Sequence, residues 1–216
     1  MSTTAAPVKP KLRGVFHEIG FYVSLGVGTA VVLSADPGRA RAAAIVFAIC
    51  VAACFGASAL YHRPTWRPGP RAWLARIDHA GIYLLIAGTY TAVGLIVMSA
   101  GWAAPLLSVV WGGATLAILL KLFWVRAPKW VSAALAMALG WSGVVAFSQL
   151  LGLPVAGLVL LVAGGVLYTV GALVYVRRSP DPLPHAFGYH ELFHVLTLAA
   201  AGCQYASIAF FVLPNA

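Results

Sequence analysis

The sequence predicts an all-α integral membrane protein, a seven-transmembrane helix bundle with a cytoplasmic N-terminus and an outside C-terminus. Three observations predict it. Of 216 residues, 62% are hydrophobic and 9% charged, and the mean hydropathy is +0.92; soluble domains run at roughly 45–50% apolar and about 25% charged. Apolar runs of spanning length recur seven times, each stopped by Pro, Gly or basic residues. Basic residues also crowd into alternate connections. Seven helices use roughly 150 residues, so no second domain fits.

The elements follow in order. Residues 1–14 are small, polar and basic, with prolines and no periodicity, and read as a disordered cytoplasmic tail; 15–216 form one transmembrane domain. The first apolar run, 17–35, ends at the turn signal Ser34-Ala35-Asp36-Pro37-Gly38. It is long for a signal-peptide core and carries Glu18 at its mouth, so it reads as a span. The remaining runs are 41–62, 78–98, 102–123, 130–149, 154–176 and 188–212. Trp66, Trp73, Trp102, Trp124 and Trp130 fall near their ends, as an aromatic belt would. Cys50, Cys54 and Cys203 lie inside apolar runs and make no disulfide framework; the first two read as small packing residues.

The formal net charge is +9. With the N-terminus inside, Lys9, Lys11 and Arg13, then Arg63, Arg67, Arg71 and Arg76, then Lys121, Arg126 and Lys129, and finally Arg177 and Arg178 are cytoplasmic. Only Arg39 and Arg41 are outside. The positive-inside rule therefore sets the orientation and accounts for the charge without a nucleic-acid partner. The expected partner of these loops is an anionic leaflet surface, and the expected location is the plasma membrane, as a multi-pass protein of the bacterial inner membrane.

Nearly all other titratable residues fall at the cytoplasmic mouth. His17 and Glu18 open span one, His62 closes span two, Asp78 and His79 open span three, and His190, Glu191 and His194 lie in the first turns of span seven. Ionisable groups in a membrane are costly and default to a functional reading. His190 and His194 are four apart, so on a helix they share one face about 6 Å apart along the axis. His62 lies at the same depth, and three neutral imidazoles leave the fourth tetrahedral position of a Zn²⁺ ion open for water. Zinc would lower the pKa of that water to roughly 7. Asp78 is placed to take its proton and Ser58, one turn before His62, to hydrogen-bond a ligand or the substrate. The expected chemistry is metal-assisted hydrolysis of an amide or ester, and a site in the bilayer selects a membrane lipid. His17, His79 and His185 are lone histidines at helix ends and read as interfacial or packing residues. Glu191 lies about 100° round the helix from His190 and is expected to face another helix; Glu18 is expected to pair with Arg13 or a basic loop, or to support the site.

The stretch Ser58-Ala-Leu-Tyr-His62, then Arg76-Ile-Asp78-His79-Ala-Gly-Ile-Tyr-Leu-Leu-Ile-Ala-Gly-Thr-Tyr-Thr91, then Phe187-Gly-Tyr-His190-Glu-Leu-Phe-His194, resembles the hemolysin III family. That family groups with the progestin and adiponectin receptors and, more distantly, with alkaline ceramidases. The resemblance covers the whole chain after the tail. It implies a seven-helix bundle with zinc held by His62, His190 and His194, Asp78 near the metal water and Ser58 beside the site. It implies two functions: a zinc-dependent lipid hydrolase linked to membrane homeostasis, or a non-enzymatic cytolytic, channel-type or membrane-sensing protein with a structural zinc. A pore needs a polar lining through the bilayer, and the outer halves of the spans carry hardly any charge.

Overall fold

The structure is a computed structural model that describes residues 9–124 and 127–215. Among these are seven helices long and apolar enough to cross a membrane: α1 (Val15–Ser34), α2 (Arg39–His62), α3 (Pro68–Val97), α4 (Ala100–Phe123), α5 (Lys129–Leu150), α6 (Val155–Arg177) and α7 (Tyr189–Asn215). No β-strand occurs among the described residues; Leu183 and Phe187 form an isolated antiparallel bridge. The chain is a multi-pass membrane protein. Backbone polar groups must be satisfied within each span in lipid, and a helix does that internally.

Local sequence sets the helix ends. Pro68 stands at the first position of α3, where its missing N–H is no loss, and Pro128 and Pro154 immediately precede α5 and α6. With that start, α3 begins ten residues before the apolar run expected from 78. Arg71 and Arg76 therefore ride on a helical extension, not in a loop, and Asp78 lies three turns inside the helix. Hydropathy marks the buried stretch of such a helix and misses the part that projects beyond it. Two spans are not uniform: α5 passes through a 3₁₀ turn at Ser142–Ala146, and α7 is α-helical to Ser207 before a π turn at Ile208–Val212.

Of the expected N-terminal tail, residues 1–8 lie outside the described residues, as does Arg126 of the α4–α5 connection. Residues 9–14 are folded back on the connection before α7. Lys11 and Leu12 donate their backbone N–H groups to His185 and Ala186 carbonyls at 3.1 and 3.2 Å. Gly14 then turns into α1 with φ +82°, and a Cβ there would sit 2.7 Å from His62 Cβ.

α2 packs along α1 and α3, α3 continues to α4, and α7 pairs with α6 and returns to α1. α5 is held least, touching α3, α4 and α6, and Lys129–Gly140 contains no buried residue. Small side chains bring the inner helices together: Ala43, Ala44, Ala87, Ala92 and Ala200 are fully buried. The larger apolar core, around Val31, Phe47, Tyr83, Val110, Ile208 and Val212, fills much of the bundle; Cys54, Phe55, Leu85 and Ala201 make a smaller cluster. Outward faces carry exposed Leu, Val, Ile and Trp side chains, including Trp73, Trp102, Trp124 and Trp130. Such faces suit lipid.

Candidate metal centre

Two helices deliver the three histidines to one point at the end of the bundle that bears the N-terminal segment. His62 is the last residue of α2, and His190 and His194 occupy the first two turns of α7. One nitrogen from each lies within 4.8 Å of the others. His62 Nε2 and His190 Nε2 approach to 3.2 Å. Two nitrogens each 2.0–2.1 Å from a tetrahedral ion stand about 3.3 Å apart, so this pair already has the spacing of one tetrahedral edge. The donor set fits an imidazole-bound metal ion, and the three histidines form a group that can hold one.

Asp78 on α3 faces the same atom: its Oδ2 is 3.6 Å from His62 Nε2. The carboxylate therefore stands on the side of the ring where an ion would bind, not behind it at Nδ1. Ser58, one turn before His62, is 2% exposed and shares a 2.8 Å hydrogen bond with His17 Nδ1. His17 in turn lies flat against His194, with ring centroids 3.9 Å apart and planes within 3°. His62, His190, His194, Asp78 and Ser58, gathered by spacing and depth in the sequence, thus stand together.

His17 belongs with them and was not singled out by sequence reasoning. It sits 3% exposed against Phe55, and its Nε2 meets no hydrogen-bond partner among the described residues. No spacing to a second histidine marks it, because its contacts are with α2 and α7. A buried polar residue in the first turn of a span is the one signal it offers.

Two carboxylates hold the surroundings. Glu191 is fully buried, accepts from the backbone N–H of Gly188 at 2.9 Å, which caps α7, and pairs with Arg13 of the N-terminal segment. Its partners are thus the α7 cap and the N-terminal segment. Glu18 pairs with Arg63 at 2.6 Å, a basic-loop partner. Lys129 Nζ donates to Tyr189 Oη at 3.1 Å and lies 4.2 Å from the Tyr175 ring centroid.

Below the histidines runs a cavity of about 760 Å³. His17, Ser58, His62, Asp78, His190 and His194 line its head, and it continues between α3, α5, α6 and α7 past Ile82, Ile86 and Val93 to Leu158 and Leu161. Ligand sites typically take about 300–1,000 Å³ and are mostly apolar with a few placed polar groups. Cys54 lines the wall one turn below Ser58, and Cys50 packs where Gly88 leaves room.

Residues 6–205 match the family described as Haemolysin-III related. The chain is 31% identical over 208 residues to "Hemolysin-3" of Bacillus cereus, an alignment covering 94% of this chain and 92% of that one. It is 28% identical over 203 residues to "Hemolysin-3 homolog" of Bacillus subtilis (strain 168), covering 92% of each. The chain belongs to the Haemolysin-III related family.

Proposed function

We propose that this protein is a zinc-dependent hydrolase of a membrane lipid amide or ester, oriented with the histidine cluster at the cytoplasmic face of a bacterial plasma membrane. The observation that carries the reading is a three-histidine group with an adjoining carboxylate at the head of a long apolar cavity. The orientation rests on the basic residues that cluster at the same end.

His62, His190 and His194 would hold the ion; zinc suits three neutral imidazoles in a tetrahedral set with one position free. The ion would supply Lewis-acid activation of water and carbonyl oxygen. The cavity binds the lipid chain and places its amide or ester carbonyl at the histidines. Asp78 takes a proton from the attacking water as oxygen adds to the carbonyl carbon, then returns it to the amine or alcohol as the C–N or C–O bond breaks. Ser58 is bonded to His17, so its remaining hydrogen-bonding capacity is aimed and can hold the substrate carbonyl. The stacked His17 ring fixes the plane of His194.

Turnover of a lipid amide or ester panel by purified protein tests this reading, with Asp78→Asn beside the wild type. The expected result is hydrolysis by the wild type and a loss of about 10²–10⁴-fold in the variant, the range for a positioned acid–base group, with bound zinc unchanged. Full activity in Asp78→Asn contradicts its role. A second reading, membrane lysis without catalysis, draws on the relatives named hemolysin. Dye-loaded liposomes containing this protein alone decide it: leakage supports lysis, and tight vesicles count against it.

A further inference from the structure

The cavity wall is mostly apolar, and two of its polar side chains lie well below the histidines. Gln204 of α7 is 7% exposed and lines the cavity. Its Nε2 donates to the Leu161 carbonyl at 3.1 Å, which settles the orientation of the amide. Its Oε1 is buried and meets no hydrogen-bond partner among the described residues, and the same holds for the Tyr168 hydroxyl of α6, also on the cavity wall. The hydroxyls of Thr89, Thr169 and Ser207 are given to the backbone carbonyls of Leu85, Gly165 and Gly157.

The Gln204 amide is accommodated by design of the facing helix. A Cβ at Gly164 would lie 2.5 Å from Gln204 Nε2 and 3.1 Å from the Ala200 carbonyl. A leucine at 204 would avoid burying a polar group, a burial that costs free energy unless a partner is found. Ten residues separate His194 from Gln204, so this station is roughly 15 Å below the cluster along α7. Tyr168 lies one turn beyond Gly164 on the antiparallel α6, roughly 5 Å nearer the histidines.

The donor–acceptor pattern selects the ligand. Gln204 Oε1 only accepts, and Tyr168 Oη both donates and accepts. A carbonyl or an unsaturated chain offers Gln204 nothing, whereas a hydroxyl satisfies either group. We propose that the cavity recognises a lipid chain carrying a hydroxyl group partway along its length, held by Gln204 and Tyr168. This rests on the reading above that a lipid chain occupies the cavity.

Equilibrium binding of radiolabelled stearate and of a mid-chain hydroxystearate to the detergent-purified full chain tests it without any need for turnover. The wild type is expected to bind the hydroxylated chain about three- to ten-fold more tightly, the ratio given by one hydrogen bond of ordinary net strength. Gln204→Leu and Tyr168→Phe should each narrow that preference while still binding stearate. Equal affinities in the wild type, or a preference that survives both substitutions, overturn the hydroxyl subsite and leave the lipid reading standing. Failure of the wild type to bind either chain overturns both.

Discussion

His62 Nε2 stands 3.2 Å from His190 Nε2 and 3.6 Å from Asp78 Oδ2, so one atom faces both another imidazole and a carboxylate. That arrangement gives the residues separable jobs. On the proposed reading, removing an imidazole would delete a ligand, whereas Asp78→Asn would keep the shape and remove the base. His17→Phe keeps an aromatic ring against His194 and deletes the bond to Ser58. It is expected to hold metal as the wild type does while weakening substrate binding, read as a raised KM; loss of metal would make His17 part of the ligand shell. Glu191→Ala strands the Gly188 N–H and the Arg13 guanidinium. An unsatisfied buried donor costs about 1–3 kcal/mol, so a lowered melting temperature in detergent is expected; an unchanged one would mean that water replaces the carboxylate freely. That His62, His190, His194, Asp78 and Ser58 gather at one point was legible in the sequence from helical spacing and matching depth. His17 was not, because its partners come from α2 and α7 and no local interval encodes them.

At the scale of helices, the geometry of the site depends on how closely α3 approaches α2, since these two carry Asp78 and His62. Gly88 controls that approach: a Cβ there would lie 2.5 Å from Cys50 Cβ. Gly88→Ala is expected to cost about 1–3 kcal/mol through overpacking and to reduce retained metal as Asp78 and His62 shift. Gly26→Ala, where nothing lies within 4 Å of the added carbon, serves as the comparison and should be close to neutral. Equal melting temperatures for the two variants would show that α2 and α3 yield without cost. The seven apolar helices were legible because each is a long run closed by Pro, Gly or charge. The start of α3 was hidden because residues 68–77 are polar and arginine-bearing, and a helix projecting beyond its apolar stretch leaves no hydropathy signal. The 3₁₀ turn of α5 and the π turn of α7 are likewise invisible to a count of apolar residues.

For the whole molecule, the basic connections, the folded-back N-terminal segment and the histidines all share one end of the bundle, which the proposed orientation makes cytoplasmic. Cysteine accessibility in intact cells checks this. In a background with Cys50, Cys54 and Cys203 replaced, an impermeant maleimide is expected to label Gly152→Cys and to spare Ser179→Cys until the cells are opened. The reverse pattern would put the cluster outside. The existence of a cavity reaching from the histidines toward the far end was not readable from the sequence, because its wall is assembled from helices far apart in the chain, α3, α5, α6 and α7. The central claim is that His62, His190 and His194 hold one metal ion. Metal content by mass spectrometry on detergent-purified protein tests it most directly, wild type beside the His190→Ala/His194→Ala variant, with folding of each confirmed by circular dichroism. About one zinc per chain in the wild type and none in the folded variant is the predicted result. A well-folded wild type without metal, or a variant that retains it, would contradict the site.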